Sequence, residues 1–169
     1  MRILHKMDSK NYDFDWPKFF REAVRAVIIK DNKIALIKSK TEGFFKFPGG
    51  GIEPNESHFD TLIRETEEET GLHIIPKSVT KLGMVWELRK SLYYDEIFEQ
   101  KSYYYHAEVE NIVTMQNLSE NEQKLGFELV WSDIETAYNI NAELGKKYEM
   151  TFVRREAYVL KYLMENELK

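Results

Sequence analysis

A cluster of glutamates near the middle of the chain consists of Glu65, Glu67, Glu68 and Glu69. On a helix turning about 100° per residue, Glu65, Glu68 and Glu69 share one edge, whereas Glu67 points elsewhere. Carboxylates at this spacing repel one another, and the carboxyl end of a helix disfavours negative charge. A divalent cation such as Mg2+ would remove the repulsion, because it binds carboxylate, water and phosphate oxygens. The spacing therefore indicates a metal site, and a solvated acidic face is the alternative.

A glycine-rich segment, Phe47-Pro48-Gly49-Gly50-Gly51, precedes this cluster. Glycines let the backbone approach a ligand and present its carbonyl and amide groups, although a tight turn explains them equally well. Asn55 is expected to cap the helix that follows, and Gly71 is expected to end it. The segment therefore places accessible backbone beside the acidic cluster.

The acidic cluster belongs to a helix predicted over residues 57–70. The apolar or small residues of this helix recur at i, i+3, i+4 and i+7, which is the spacing of a single buried stripe. They are Phe59, Leu62, Ile63 and Thr66. The stripe predicts that the helix packs on a sheet, with the carboxylate edge roughly 120° away from it.

Runs of β-branched and aromatic residues predict the strands of that sheet. The predicted strands span residues 23–29, 33–38, 44–47, 79–92, 98–109 and 127–131. The first two are expected to form a hairpin around Asp31-Asn32, and the two longest are expected to pair with each other. A short helix is predicted at Ser132-Asp133 and a terminal helix at about 148–167. These elements predict an α+β fold.

The composition is that of a packed soluble protein. The chain has 169 residues, 43% of them hydrophobic, and no apolar run approaches the length of a membrane span. The N-terminus becomes charged before a signal-peptide hydrophobic region could form, so we expect a cytoplasmic protein. The absence of cysteine excludes thiolate chemistry and disulfides. A net charge of −5 disfavours a stable nucleic-acid partner, because such binding depends on clustered Lys and Arg.

The chain is predicted to contain an arm and one domain. Residues 1–21 are polar with scattered aromatics and indicate an N-terminal arm, and residues 22–169 form the domain. The arm is expected to pack on the core. A contact with a second subunit, and therefore a homodimer, is the alternative.

The residues around the acidic cluster form a specific box. Gly50 is followed after five residues by Glu56, and Glu56 is followed after seven by the run Arg64-Glu65-Thr66-Glu67-Glu68-Glu69-Thr70-Gly71-Leu72. This pattern resembles the signature of the Nudix hydrolase family and departs from it only at Thr66, where the family has an aliphatic residue. Because Thr66 lies on the predicted buried stripe, the departure concerns packing and not the carboxylates.

The resemblance implies a Nudix-type α/β/α sandwich around a mixed β-sheet. It also implies metal-dependent hydrolysis of the diphosphate linkage in a nucleoside diphosphate derivative. Glu68 and Glu69 would bind Mg2+, or alternatively Mn2+, together with the backbone carbonyl of Gly49 or Gly50. Glu65 would be a further metal ligand or the base that activates water.

Two residues of the box have simpler explanations beside the implied ones. The resemblance places Arg64 among the catalytic residues, where it would hold the carboxylates, although a helix salt bridge to Glu68 explains it as well. Glu56 would be accessory, and an acid in the first helical turn favours the helix dipole in any case.

Further ligands are expected outside the box. The resemblance implies an additional acidic metal ligand from a later loop, and Glu122 is the candidate among the acids that precede Trp131. Arg25, Lys38 and Lys46 lie near the predicted mouth of the site and are predicted to bind substrate phosphates, each being otherwise an ordinary strand or loop residue. The expected ligand is a small-molecule nucleotide derivative.

Two other classes of function remain open. A regulatory module could bind nucleotides on the same fold without turnover, but it would be expected to lose some of the carboxylates, which this chain retains. An isomerase or a repair domain on the same fold is the other class. Such isomerases rely on a cysteine, which is absent here, and such repair domains usually lack an intact box.

Overall fold

The computed structural model describes residues 1–148 and 150–167, so that Glu149, Leu168 and Lys169 of the predicted domain lie outside the described residues. The strands are β1 (Ile3–Asp8), β2 (Lys18–Val27), β3 (Ile29–Lys30), β4 (Lys33–Ser39), β5 (Phe45–Lys46), β6 (Leu72–Ile74), β7 (Thr80–Lys90), β8 (Ile97–His106), β9 (Val109–Val113) and β10 (Phe127–Ser132). The helices are α1 (His58–Thr70), α2 (Glu120–Lys124), α3 (Ile134–Lys147) and α4 (Thr151–Asn166), with a 3-10 turn at Pro76–Ser78.

One four-stranded sheet is mixed and has the strand order β1-β7-β8-β2. β7 and β8 are antiparallel, which confirms the predicted pairing of residues 79–92 with 98–109. β1 runs parallel to β7, and β2 runs parallel to β8. A bridge between Ala23 and Gly51 places β2 beside the glycine-rich segment.

A second sheet contains β10, β4 and β3, with β5 also paired to β4. The predicted hairpin of residues 23–29 with 33–38 is wrong in its pairing, because β2 pairs with β8 and only the two-residue β3 pairs with β4. All residues from Ala23 to Ile28 are buried. A strand buried on both faces appears in the sequence as a continuous apolar run, which does not specify its neighbour. The turn itself is at Asp31-Asn32, as predicted.

Helices cover the strands from two sides. On one side, Leu62 of α1 packs in a cluster with Val24 and Ala26 of β2. On the other side, Leu160 and Leu163 of α4 pack in a cluster with strand residues and with α3. This arrangement is the predicted α/β/α sandwich. Successive side chains of β2 point to opposite faces of the sheet, so that one face contacts α1 and the other faces the two C-terminal helices.

The C-terminal region has two helices of similar length. The helix predicted to be a short piece at Ser132-Asp133 is wrong in length, because α3 continues to Lys147. The predicted terminal helix corresponds to α4, which begins at Thr151. Hydrophobic residues on both helices contact the core. This packing stabilises α3 as a long helix, whereas the polar residues on its exposed face had indicated only a short one.

The N-terminal residues are part of the sheet structure. β1 pairs with β7, and β2 begins at Lys18, before the predicted domain start at residue 22. The division into an arm and a domain, and the homodimer, remain predictions. No helix in the described part of the chain is long and apolar enough to cross a membrane.

Candidate active site

Helix α1 carries the acidic cluster, and its cap differs from the predicted one. The hydroxyl of Ser57 accepts a hydrogen bond from the backbone N–H of Asp60 at 3.1 Å, and the Asp60 side chain completes a capping box. Asn55, the predicted cap, lies outside the helix in a left-handed conformation with a φ of 69°. Gly71 ends the helix with a φ of 72°, as predicted. These caps fix both ends of the predicted helix.

The buried face of α1 is rotated from the predicted stripe. Leu62 and Thr66 are fully buried, as expected, but Phe59 is 38% exposed. Glu69 is only 2% exposed. Because residues 62, 66 and 69 follow one another at helical spacing, Glu69 continues the buried stripe. Glu69 therefore lies at the buried side of the edge predicted for Glu65, Glu68 and Glu69, and the alternative of a solvated acidic face does not describe it.

The buried carboxylate of Glu69 is satisfied by Lys46 and Gly49. The backbone N–H of Gly49 donates to Oε2 at 2.8 Å, and the ammonium group of Lys46 contacts Oε1. Lys46 also donates to the carbonyl of Gly49 at 3.3 Å. Burial raises the pKa of Glu69, and the positive charge of Lys46 opposes this shift. Glu69 thus joins the end of α1 to the glycine-rich segment.

Arg64 organises the other carboxylates of the box. Its Nε and Nη2 donate to the two carboxylate oxygens of Glu56 at 2.6 and 2.8 Å, which is a bidentate arrangement. Its Nη1 donates to Glu65 at 2.8 Å and to Glu68 at 3.1 Å, so the expected salt bridge to Glu68 is present. The hydrogen bonds from Arg64 lower the pKa of Glu56 to about 2. Arg64 therefore holds Glu65 and Glu68 together in spite of their mutual repulsion.

Gly49 and Gly50 occupy positions where a side chain would not fit. Gly49 has a φ of 133°, and a Cβ there would lie 2.1 Å from the carbonyl oxygen of Val24. A Cβ on Gly50 would lie 2.2 Å from a carboxylate oxygen of Glu65. The carboxylate of Glu65 therefore rests directly against the backbone of the glycine-rich segment.

Helices α3 and α4 hold the strand that leads into this segment. The side chain of Asn141 accepts from the backbone N–H of Phe45 at 2.9 Å and donates to its carbonyl at 2.8 Å. The carboxylate of Glu156 accepts from the backbone N–H of Phe47 at 2.9 Å. Asn141 and Glu156 are fully buried. Two helix side chains thus take the place of a neighbouring strand and fix the segment from behind.

A cavity of about 740 Å³ opens beside Lys46. Its wall contains residues of β2, β7 and β8 and the beginning of α4. The charged residues that line it are Arg21, Arg25, Lys46, Glu87, Arg89, Lys90, Arg154 and Arg155. Positive charge dominates this lining, and such a cleft attracts an anionic ligand.

The structure brings together some of the predicted site residues and leaves others apart. Arg25 and Lys46 line the cavity, whereas Lys38 is not among the residues that line it and its ammonium group lies over the ring of Phe45 at 5.7 Å. The carboxylate of Glu122 accepts from the backbone N–H of Ser119 at 2.8 Å and caps α2. Metal binding by Glu122 and phosphate binding by Lys38 remain predictions without a supporting contact.

The sequence interpretation missed several residues of the cavity. Arg21 was placed in the arm, although it lies four residues before Arg25 and therefore on the same face of β2. Glu87 and Arg155 were not considered, and they form a buried ion pair at 3.3 Å. The i, i+4 spacing of the two arginines was a usable signal, whereas the Glu87–Arg155 contact joins distant parts of the sequence.

The carboxylates of Glu65, Glu68 and Glu69 are suitable ligands for Mg2+. In this structure, however, they form ion pairs with Lys46 and Arg64. Among the described residues, no three acidic or histidine side chains are arranged as a coordination shell. Lys46 stands between Glu69 and the carbonyl of Gly49, and Arg64 bridges Glu65 and Glu68. The carbonyl of Gly50 accepts from a backbone N–H of β2. The oxygens of Glu65, Glu68, Glu69 and Gly49 would suit a hard divalent ion, which would take the place of Lys46 and Arg64.

Comparison with known proteins agrees with this geometry. The chain matches the NUDIX domain family model over residues 19–152. It is 28% identical to the uncharacterized Nudix hydrolase YvcI of Bacillus subtilis over 81% of each chain. It is 42% identical over 86 residues to an ADP-ribose pyrophosphatase of Methanocaldococcus jannaschii, a match that covers 49% of this chain and 48% of that protein. A Nudix hydrolase structure from Nitrosomonas europaea superposes with a TM-score of 0.57 at 19% identity, covering 83% of this chain and 90% of that one.

The fold and the box define this class of protein, and the chain belongs to the Nudix family. The family and the fold class predicted from the sequence are confirmed. The structural match supports the fold alone, and the match to the ADP-ribose pyrophosphatase spans about half of that protein's length. A pyrophosphatase is thus among the relatives, which agrees with the enzyme class predicted from the sequence.

Proposed function

We propose that this protein is a metal-dependent pyrophosphohydrolase that cleaves the diphosphate linkage of a small nucleoside diphosphate derivative. The main support is that the carboxylates of Glu65 and Glu69 lie against the glycine-rich segment and that Arg64 joins Glu68 to Glu65. Lys46, which contacts Glu69, lines the cavity with the cationic lining. The relative named as an ADP-ribose pyrophosphatase has an activity of this class. Mg2+ is the proposed ion, and Mn2+ is the alternative.

Glu68 and Glu69 are proposed to bind the ion with the backbone carbonyl of Gly49 or Gly50. When bound, the ion lowers the pKa of water and neutralises charge that develops on the phosphate oxygens. The carbonyl of Gly49 is favoured as the ligand, because it accepts from the same ammonium group that contacts Glu69. The carbonyl of Gly50 instead accepts from the backbone N–H of Val24.

Glu65 is proposed to orient the attacking water and accept its proton. The carboxylate rests against Gly50 and is fixed by a hydrogen bond from Arg64, so its position is defined before substrate binds. The water attacks one phosphorus, and a nucleoside monophosphate and a second phosphorylated fragment leave. Lys46 and Arg25 are proposed to bind phosphate oxygens from the cavity side.

The test is hydrolysis of a substrate panel in the presence of Mg2+. The panel contains nucleoside triphosphates, dinucleoside polyphosphates and nucleotide sugars, and the phosphorylated products are followed by chromatography. Glu68→Gln should lower kcat at least about 100-fold, because a proposed metal ligand is lost. Glu67→Gln is the matched control. Glu67 is a half-buried neighbour whose contact is with His73 at 3.6 Å, and its replacement should change kcat by less than about twofold.

Two results would contradict the proposal. One is the absence of product with every member of the panel. The other is equal activity of Glu68→Gln and the parent. Tight nucleotide binding without product would instead identify the regulatory module that remained open from the sequence.

A further inference from the structure

Arg21 lies between the glycine-rich segment and the cavity. A Cβ on Gly51 would lie 3.1 Å from Nη2 and 3.3 Å from Nε of Arg21, so the guanidinium group rests against this backbone. Glu65, whose carboxylate rests against the neighbouring Gly50, acts on Arg21 electrostatically. Arg21 also lines the cavity. The guanidinium group therefore lies at the diphosphate site of the proposed function.

The side chain that holds this guanidinium group is the neutral amide of Gln100. Arg21 and Gln100 are opposite each other in the parallel pair of β2 and β8, and Nη1 of Arg21 donates to the Gln100 side-chain carbonyl at 3.2 Å. The amide nitrogen of Gln100 donates to the hydroxyl of Ser102 at 2.8 Å. Because arginine has only donors, the carbonyl end of the amide has to face it. Gln100 is 2% exposed and Ser102 is fully buried, so the protein fixes this orientation.

Two carboxylates near Arg21 are engaged with other cations. Glu65 pairs with Arg64, and Glu87 pairs with two other arginines of the cavity wall. Gln100 lies between Arg21 and Glu87 in one row across three strands of the sheet. Desolvation and the positive charges of nearby arginines lower the pKa of Arg21, so its charge is not fully compensated. A neutral partner thus fixes the guanidinium group without neutralising it.

We infer that Gln100 is a positioning residue that holds Arg21 for contact with the diphosphate of the substrate. This inference rests on the proposed function, which places that diphosphate at the carboxylates of α1. A guanidinium group binds phosphate oxygens through paired hydrogen bonds, and its planar fork loses less freedom on binding when it is already oriented. A carboxylate in place of the amide would hold Arg21 as well, but it would also neutralise the charge. The neutral amide fixes the position and leaves the charge for the substrate.

A double-mutant cycle tests whether Gln100 acts through Arg21. Gln100→Leu, Arg21→Gln and the double variant are titrated by calorimetry in EDTA with methylenediphosphonate, a diphosphate analogue that water does not cleave. Gln100→Leu should weaken binding at least about fivefold in the parent and less than about twofold when Arg21 is already replaced. The kcat/KM for a hydrolysed member of the substrate panel, measured with Mg2+, should follow the same pattern. A melting curve verifies that each variant is folded.

Gln100→Glu separates the position of the guanidinium group from its charge. The carboxylate retains an acceptor for Arg21, so a merely structural role of Gln100 would be preserved. It also neutralises Arg21, so binding of methylenediphosphonate should still weaken at least about tenfold. Glu99→Gln is the control, because it makes the reverse exchange at the neighbouring residue of β8. Glu99 points to the opposite face of the sheet, where it accepts from Trp86 at 3.0 Å, and this variant should bind within about twofold of the parent.

Gly51→Ala moves the guanidinium group without changing any charge. The added Cβ would lie 3.1 Å from Nη2 of Arg21, so the guanidinium group has to move aside. This variant should lower kcat/KM at least about threefold, because the displaced group no longer meets the phosphate oxygens in its best geometry. The same substitution should have less than about a twofold effect when Arg21 is replaced by glutamine. This variant also tests the position of Arg21 if Gln100→Leu does not fold.

The outcomes separate the positioning role from the proposed function. Equal losses for Gln100→Leu in the parent and in the Arg21→Gln background would overturn the inference, because Gln100 would then act independently of Arg21. Parent-like binding of methylenediphosphonate by Gln100→Glu would overturn it as well. Coupled losses of binding in the cycle, without hydrolysis of any substrate by the parent, would support the positioning role and contradict the proposed function alone.

Discussion

The ammonium group of Lys46 contacts the buried carboxylate of Glu69 and also donates to the carbonyl of Gly49. Glu69 is one of the proposed metal ligands, so Lys46 and the ion would compete for the same carboxylate. In the metal-free protein, Lys46 keeps the buried carboxylate neutralised. If an ion replaced it, as proposed, the lysine would be free to contact a phosphate of the substrate.

Replacement of Lys46 by methionine should therefore destabilise the metal-free protein. In EDTA, Lys46→Met should lower the free energy of unfolding by about 3 kcal/mol, because a buried carboxylate loses its counter-ion. Mg2+ should restore more stability to this variant than to the parent. Urea denaturation in EDTA and in Mg2+ measures both effects. Lys38→Met, on the neighbouring β4, is the control and should change stability by less than about 0.5 kcal/mol. Equal stability of Lys46→Met and the parent in EDTA would contradict the proposal that Lys46 and the metal ion compete for the carboxylate of Glu69.

The ion pair between Arg64 and Glu56 should make stability depend on pH. The pKa of Glu56 is about 2 in the folded protein, below the ordinary value of 4.5. Because folding lowers this pKa, the stabilisation is fully present above about pH 4.5 and is lost as the pH falls towards 2. Glu56→Gln removes the titrating group, so its melting temperature should fall less steeply across this range. Scanning calorimetry at successive pH values measures the slope. Glu53→Gln, an exposed acid of the same loop, should retain the parent slope.

The features that were predicted from the sequence are local ones. The box, the helix over residues 57–70 and the contact of Arg64 with Glu68 all depend on spacing within a few turns of one helix. The pairing of β7 with β8 was also accessible, because the two strands are long and joined by a short loop. In each case the residues that decide the structure are close in the sequence.

The features that were missed depend on distant residues. Glu69 is buried because Gly49 and Lys46 satisfy its carboxylate, and the Gly49 contact spans 20 residues. Helical spacing alone cannot place a glutamate on a buried stripe. The parallel pairing of β2 with β8 brings Lys18 opposite Ile97, and it places Arg21, which the sequence assigned to the N-terminal arm, in the cavity wall. Such pairing is set by the whole fold and not by either strand.

Asn141 provides a prediction about the strand that leads into the glycine-rich segment. Its amide satisfies both backbone groups of Phe45, and all of these groups are buried. Asn141→Leu would leave a donor and an acceptor unpaired, so the free energy of unfolding should fall by about 2 to 4 kcal/mol. Urea denaturation measures this loss. Asn139→Leu, at an exposed position of the same helix, should change stability by less than about 0.5 kcal/mol, and similar losses in both variants would contradict the bridging role.

Thr66 is the position at which this chain departs from the box of its family. Replacing it with an apolar residue of similar size should stabilise the protein. The residue is fully buried, and its hydroxyl has no hydrogen-bond partner in the described part of the chain. Thr66→Val replaces this unpaired hydroxyl with a methyl group of similar size, so the free energy of unfolding should rise by about 1 kcal/mol. Thr61→Val is the matched control on the same helix. The hydroxyl of Thr61 donates to Glu56 at 2.8 Å, and its removal should lower the free energy of unfolding by about 1 kcal/mol. Opposite signs in urea denaturation are expected for the two variants. A loss of stability in both would mean that the hydroxyl of Thr66 is hydrogen-bonded in solution, since the two substitutions are chemically identical.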